Sequence, residues 1–218
     1  MSRATVRPPR SPTTRPASPW ATADQKAAAR HRKRDAVILT AARAFKERGF
    51  HHTSLDDVAA LLNVTKPTIY HYVDNKEQIL FECFRTGLDQ IRAAFSEVRS
   101  PGVPARQRLE LVIRRYAAAV TSEFGWCMVR AEDQDLSPAM SSQIKTLKSE
   151  IDQGIRRLLR EGQEDGSIRE CDPKMTAFAL AGALNWMGHW YRDDATLKPH
   201  EIADRFIDVF NRGLRGRD

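Results

Sequence analysis

Residues 54–79 read SLDDVAALLNVTKPTIYHYVDNKEQI, and the fold turns on this stretch. Leu55, Val58, Ala59 and Leu62 recur at helical spacing behind Ser54, an N-cap residue. Asp56 and Asp57 sit in the first turn, where acids complement the helix dipole. Asn63 ends that helix, and asparagine tolerates the positive φ that a tight turn needs. Thr65 is placed to cap a second helix over Lys66–Tyr72, with Pro67 in its first turn, where a missing N–H costs nothing. Two short helices across a tight turn have helix-turn-helix spacing. Ala59 is small where the helices approach, and Val58, Leu62, Val64 and Ile69 are expected to point inward. Thr65, Lys66, Thr68, Tyr70, His71 and Tyr72 are then left facing outward. Such a helix can enter a major groove and read base edges, while hydroxyls, lysine and its N-terminus hold phosphates.

Helical signals continue on both sides. Upstream, Val37, Ile38, Ala41, Ala42 and Phe45 form an apolar stripe that Gly49 stops. Downstream, Asn75 caps a longer helix carrying Ile79, Leu80, Phe84, Leu88, Ile91 and Phe95, ended by Ser100-Pro101-Gly102. Further helices are expected around 109–120, at Phe124–Arg130, from Ser137-Pro138 to a break at Gly162–Gly166, from Asp172-Pro173 to about Arg192, and from Pro199 onward. No hairpin signal or repeat occurs. The expectation is an all-α chain of about nine helices. Residues 1–28 form a disordered basic tail, residues 29–75 a helix-turn-helix domain, and residues 76–218 a larger helical domain for ligand binding and dimerisation.

The chain has 218 residues, enough to bury a core without staples. Its net charge of +7 is concentrated: residues 1–34 hold nine Lys/Arg and one acid, leaving the rest near −1. That asymmetry points to a polyanion such as nucleic acid, to a solubilising tail, or to a transit peptide, which the tail's five prolines disfavour. The same prolines and the lack of large apolar residues keep 1–19 from offsetting its ordering entropy. Cys83, Cys127 and Cys171 are too sparse for a disulfide framework or a zinc site, and their odd number suits a reducing cytoplasm. No run approaches the roughly 20 apolar residues of a membrane span, and no signal-peptide core is expected. No nucleophile–base pair, phosphate loop or metal cluster stands out, so neither an enzyme nor a metal site is expected. His51 and His52 are read as linker residues, and His71 has no catalytic partner nearby.

The segment FKERGFHHTSLDDVAALLNVTKPTIYHYVDNKEQILFECF, Phe45 to Phe84, resembles the DNA-binding domain of TetR/AcrR-type regulators. The likeness rests on the Phe-x-x-x-Gly-Phe helix end, the capped acidic helix start and the tyrosine-rich run leading to Lys76. It implies a cytoplasmic homodimer on a near-palindromic operator, with no cofactor and with a small-molecule effector. Carried over by position, it implies DNA contacts at Ser54, Thr65, Lys66, Thr68, Tyr70, His71, Tyr72 and Lys76. Asn63 departs from the family's usual glycine, and the tail is longer than usual.

In the second half, AFALAGALNWMGHWYR (177–192) is apolar nearly all round, so burial on several sides is expected. With the Phe206/Phe210 helix it is a candidate dimer four-helix bundle, for which Ala181, Leu184, Phe206 and Phe210 are the expected contacts. The run from Asp172-Pro173 to Phe206 resembles TetR-type regulators of fatty-acid, aromatic-acid and sterol catabolism, although Asp193-Asp194 alters the loop after Tyr191. That likeness implies an acyl-CoA effector. The expected acyl tunnel is Phe84, Tyr116, Leu147, Ile151, Trp186 and Trp190, with Arg130, Lys148 and Arg192 near the diphosphate. Trp186, Trp190 and Tyr191 are read first as core and interface anchors, with the lining of a ligand cavity as the alternative. Two other functions fit the sequence: an efflux regulator sensing lipophilic compounds, and a nonspecific architectural DNA-binding protein.

Overall fold

The computed structural model describes residues 22–97 and 102–213. Among these residues there are nine α-helices and one 3₁₀ turn, and no strand. The helices are α1 (Ala23–Arg48), α2 (Leu55–Leu61), α3 (Lys66–Tyr70), α4 (Lys76–Glu97), α5 (Ala105–Thr121), α6 (Gly125–Arg130), α7 (Pro138–Glu164), α8 (Pro173–Trp190) and α9 (Pro199–Arg212). The expected all-α class is the one observed. The tail over residues 1–21 and the helix stop at Ser100-Pro101 lie outside the described residues.

Helix α1 begins well before its apolar stripe. Thr22 accepts the Gln25 N–H while the Gln25 side chain returns to Thr22 N–H, a reciprocal cap. The alanines that follow favour helix, so residues 23–28, read from sequence as tail, form its first turns. Val37, Ile38, Ala41, Ala42 and Phe45 bury the other half, and Gly49 ends it at φ 85°. Phe45 and Phe50 then meet edge to face at 5.2 Å. Burying a side chain such as Phe45 fully stabilises by roughly 1.5–3 kcal/mol.

Helix α4 joins the two halves of the molecule. Its first turns bury Ile79, Leu80 and Cys83 beside α1, and it continues against α5, α6 and α7. Cys83 Sγ lies 3.9 Å from Ile38 O. A hydrogen bond with Cys127, reinforced by burial, pushes the Cys83 thiol well above the ordinary range, so it stays neutral. Glu82, also buried, accepts from Arg34 at 2.7 Å and Arg85 at 2.6 Å, which clamps α1 to α4.

Helices α4, α5, α7 and α8 enclose the main core, with α9 against α5 and α6 against α4 and α8. Gly162, expected to break α7, is instead buried inside it, because Ile168 folds back and occupies the space a Cβ would need. The chain actually reverses after Asp165, at Gly166 with φ 74°. Helix α8 is not buried all round: Leu180, Leu184 and Met187 face the core, whereas Met175, Phe178, Trp186 and Trp190 are exposed.

Candidate nucleic-acid interface

The turn between α2 and α3 rests on Asn63, the one non-glycine residue with positive φ (53°) among the described residues. Val64 N–H reaches Ala59 O at 3.0 Å across it. This left-handed step turns Val64 outward, to 39 % exposure, so the expected inward placement of Val64 does not hold. Ile69 and Val58 are buried as expected, and Leu62 packs against the core edge. Ser54 forms the first cap of the motif: its hydroxyl accepts Asp57 N–H, and Asp57 accepts Ser54 N–H at 2.7 Å. These hydrogen bonds hold the Asp57 carboxyl below its ordinary pKa. Such a cap is worth about 1 kcal/mol.

Thr65 does not cap α3 through its side chain; its hydroxyl pairs with that of Thr68 at 2.9 Å. Lys66 Nζ reaches Asp56 at 2.7 Å, which joins α3 to α2 and raises the lysine pKa. Tyr70 is 49 % exposed at the end of α3, His71 is exposed beside it, and Tyr72 is half-buried against the core. Lys66, the half-buried Thr68 and Tyr70 lie on α3, Thr65 and His71 are its caps, and Tyr72, expected inside the helix, follows its end. They offer hydroxyls, an ammonium and an imidazole to the outside.

Lys76 is built in more deeply than its place at the start of α4 suggests. Its ammonium donates to Phe50 O at 2.8 Å and Thr53 O at 3.1 Å, 4.2 Å above the Phe50 ring. Partial burial lowers its pKa. Thr53 is itself buried, donating to Gly49 O and Ala44 O, so the α1–α2 corner is stiff.

Links from this module to the other helices were not foreseen from sequence. His51 Nε2 lies 3.0 Å from Asp135, Lys46 lies 3.1 Å from Asp193, and Arg43 lies 3.1 Å from Glu123. Ser137 N–H donates to Glu77 at the start of α4. The partners are 60 to 147 positions apart, so no local pattern announces these links.

The six residues expected to form an acyl tunnel do not gather around one space. Phe84, Tyr116 and Ile151 are buried in the α4–α5–α7 core, Leu147 is half-buried, and Lys148 sits over the Phe84 ring at 5.2 Å. Tyr116 donates to Asn185 Oδ1 at 3.1 Å, and burial pushes its pKa up to about 12. Trp186 (63 % exposed) and Trp190 (44 %) lie on the outer side of α8. Arg130 donates to His189 O, and Arg192 pairs with Asp194. A cavity of about 340 Å³ opens elsewhere, between α5, α7, α8 and α9. Leu109, Ile113, Leu159, Leu180 and Ile207 line it, and Arg106 and Arg169 border it.

Of the expected dimer contacts, Leu184 faces the core, and Ala181, Phe206 and Phe210 are half-buried. In the C-terminal half, Met175, Phe178, Trp186 and Trp190 on α8 and Val209 on α9 form an exposed apolar strip, with Arg156 and Lys174 over the Phe178 ring and His189 against Trp186. Gly182 lies exposed within it, and a Cβ there would meet nothing within 4 Å. Among the described residues no helix is long and apolar enough to cross a membrane, and no three or more His, Cys, Asp or Glu residues group to hold a metal.

Comparison with known proteins gives two family matches. Residues 37–83 match the model for bacterial regulatory proteins of the tetR family, and residues 102–214 match the tetracyclin repressor-like C-terminal domain. The HTH-type transcriptional repressor KstR2 of Rhodococcus jostii is 27 % identical over 188 residues, covering 84 % of this chain and 91 % of that protein. The crystal structure of PfmR from Thermus thermophilus is 28 % identical with a TM-score of 0.77, covering 83 % of this chain and 99 % of that one. AibR, in a crystal structure with isovaleryl coenzyme A and operator DNA, is 26 % identical with a TM-score of 0.71, covering 82 % and 98 %.

Proposed function

This chain belongs to the TetR family of bacterial regulatory proteins, as a DNA-binding transcription regulator rather than an enzyme, and from that premise we propose that it is a cytoplasmic repressor that binds a near-palindromic operator as a homodimer and is released by an acyl-CoA. The observation that carries this reading is the exposed face of α3. Thr65, Lys66, Tyr70 and His71 stand clear of the core on a helix anchored by buried Ile69. Ser54, Thr68 and Tyr72 border that face. Lys76 contributes chiefly by holding α4 against the α1–α2 corner, with one donor left for a phosphate.

The homodimer is supported by the exposed apolar strip on α8 and α9. Exposed Phe178 and Trp186, two turns apart on one face with Gly182 between them, are costly in water and suit a helix pair from a second copy. Trp186 and Trp190 are then interface residues, and Ala181, Phe206 and Phe210 flank them. Two copies joined there would present two α3 helices to successive major grooves.

The acyl-CoA assignment is supported by the likeness to AibR, whose structure contains isovaleryl coenzyme A, and by the apolar cavity between α5, α7, α8 and α9. Its 340 Å³ lies near the low end of small-molecule sites, roughly 300–1,000 Å³, which suits an acyl chain with the nucleotide outside. Arg106 is occupied by Glu110 at 3.0 Å, which leaves Arg169 as the cation at the rim for an anionic head. An effector here favours one arrangement of α5, α8 and α9, and α5 also packs on α4. Only a difference in affinity between the operator-fitting and non-fitting states would release DNA.

The test is a duplex selected by the full chain from a random-sequence pool, titrated with acyl-CoAs of short, medium and long chain while anisotropy is followed. Release by one chain-length class, with calorimetric heat from the same class on the protein alone, is expected. Tight binding to the duplex that no acyl-CoA disturbs would remove the effector assignment and leave the DNA assignment standing.

A further inference from the structure

Helix α1 carries a second surface that the helix-turn-helix reading leaves unused. Its first half, residues 23–34, precedes the family match that begins at residue 37. It holds Lys26, Arg30, Arg32, Lys33 and Arg34 against the single acid Asp24. Lys26, Arg30 and Arg34 follow one another at i, i+4 and i+8, one face of a helix. That face forms a groove lined by Lys26, Ala27, Arg30, His31, Arg34 and Tyr72. The groove therefore runs from α1 to Tyr72, just past the end of α3.

Hydrogen bonds fix this placement. Arg30 Nη2 donates to the carbonyl of His71 at 3.3 Å, so the basic half of α1 is tied to the end of the recognition helix. Arg34 is pinned deeper by Glu82 on α4 at 2.7 Å, which neutralises it. Lys26, Arg32 and Lys33 remain exposed and have no acidic partner among the described residues. Twelve residues of helix extend about 18 Å, about five base pairs of rise along a duplex axis.

We propose that residues 23–34 of α1 form a second DNA-contact element, gripping the phosphate backbone that flanks the bases facing α3. The inference rests on the operator-binding reading and adds to it a sequence-independent clamp outside the recognition half-site. Lys26 and Arg30 hold phosphates from the groove, and Arg32 and Lys33 extend the positive field beyond it. Tyr72 lines the junction between the base-reading and backbone-holding parts.

The test uses the duplex selected from the random pool in two lengths, trimmed to its protected core or carrying ten further base pairs on each side. The full chain is compared with Lys26→Gln/Lys33→Gln, two exposed positions on one face of α1 that make no tie to α3, after circular dichroism confirms equal helicity. On the long duplex the variant should bind more than tenfold more weakly. Its plot of log affinity against log salt should flatten by about 0.9 for each phosphate that the variant no longer neutralises. The preference for the selected core over a permuted core should be unchanged, and the gap between native and variant should shrink on the trimmed duplex. Equal affinity and equal salt slope on the long duplex would overturn the proposal. So would a loss of equal size on both lengths, or binding of anionic vesicles by the native chain that the variant loses while DNA binding stays intact. If the native chain selects no duplex at all, the operator reading itself fails, a different result from the variant matching the native chain.

Discussion

Lys76 places its ammonium 2.8 Å from the carbonyl of Phe50 and 4.2 Å above the Phe50 ring. A residue at the first turn of α4 is thereby fastened to the corner between α1 and α2. The bond couples the helix that joins both halves of the molecule to the base of the DNA-reading module.

Replacing Lys76 by Met keeps most of the stem and removes the donors to Phe50 and Thr53. Hydrogen bonds from a charged group are worth about 1.5–3 kcal/mol, and a domain of this size loses roughly 2–4 °C per kcal/mol. A thermal melt without DNA should therefore drop by several degrees. A residue that served only as a phosphate contact would leave that melt unchanged.

Tyr70 should behave in the opposite way. It is half-exposed and has no hydrogen-bond partner among the described residues. Tyr70→Ala should shift stability by no more than about 0.5 kcal/mol while lowering affinity for the selected duplex at least tenfold. A melt and an anisotropy titration on the same sample separate the two effects. An affinity equal to the native chain's would remove Tyr70 from the contact surface.

These two residues mark what could be read from sequence and what could not. The helix-turn-helix was legible because its signals are local: Ser54 caps α2, Asn63 takes φ 53° and Pro67 opens α3. The role of Lys76 was not legible, since its acceptors lie 23 and 26 positions away. The same holds for Arg30, whose acceptor on His71 is 41 positions off. Helix α8 hid its orientation for another reason. Apolar residues on every side carry no periodic signal, so only packing against α5 and α7 separates buried Leu184 from exposed Trp186.

Tyr116 gives a pH prediction with a definite sign. Its pKa rises from 10.0 to about 12 on folding because burial disfavours the phenolate. The raised value means its contribution is fully present below pH 10 and is lost as pH rises from about 10 to 12. A shift of that size corresponds to about 2–3 kcal/mol. Tyr116→Phe, which also loses the Asn185 hydrogen bond, should cost about 1 kcal/mol near neutrality. Its stability should then fall less steeply than the native chain's above about pH 10 in parallel urea titrations. Equal alkaline slopes would place a solvated hydroxyl at this position.

Gly182 tests the dimer face. No atom lies within 4 Å of a Cβ there in the single chain, so Gly182→Ala should stabilise an isolated α8 by about 0.5–1 kcal/mol. If a second copy packs against this strip, a larger Gly182→Leu should instead lower the dimer fraction, and Phe178→Asp should yield monomer. Light scattering over a concentration series measures both. A native chain that is monomeric throughout would set the homodimer aside.

Sequence-specific duplex binding through α3 is measured by a ratio of affinities. The full chain should be titrated at physiological salt against its selected duplex and against a duplex of the same composition with the core permuted. A ratio of about 10³ or more in favour of the selected duplex is expected. Equal affinity for the two, falling together with salt, would contradict it and leave a basic chain that holds any phosphate backbone.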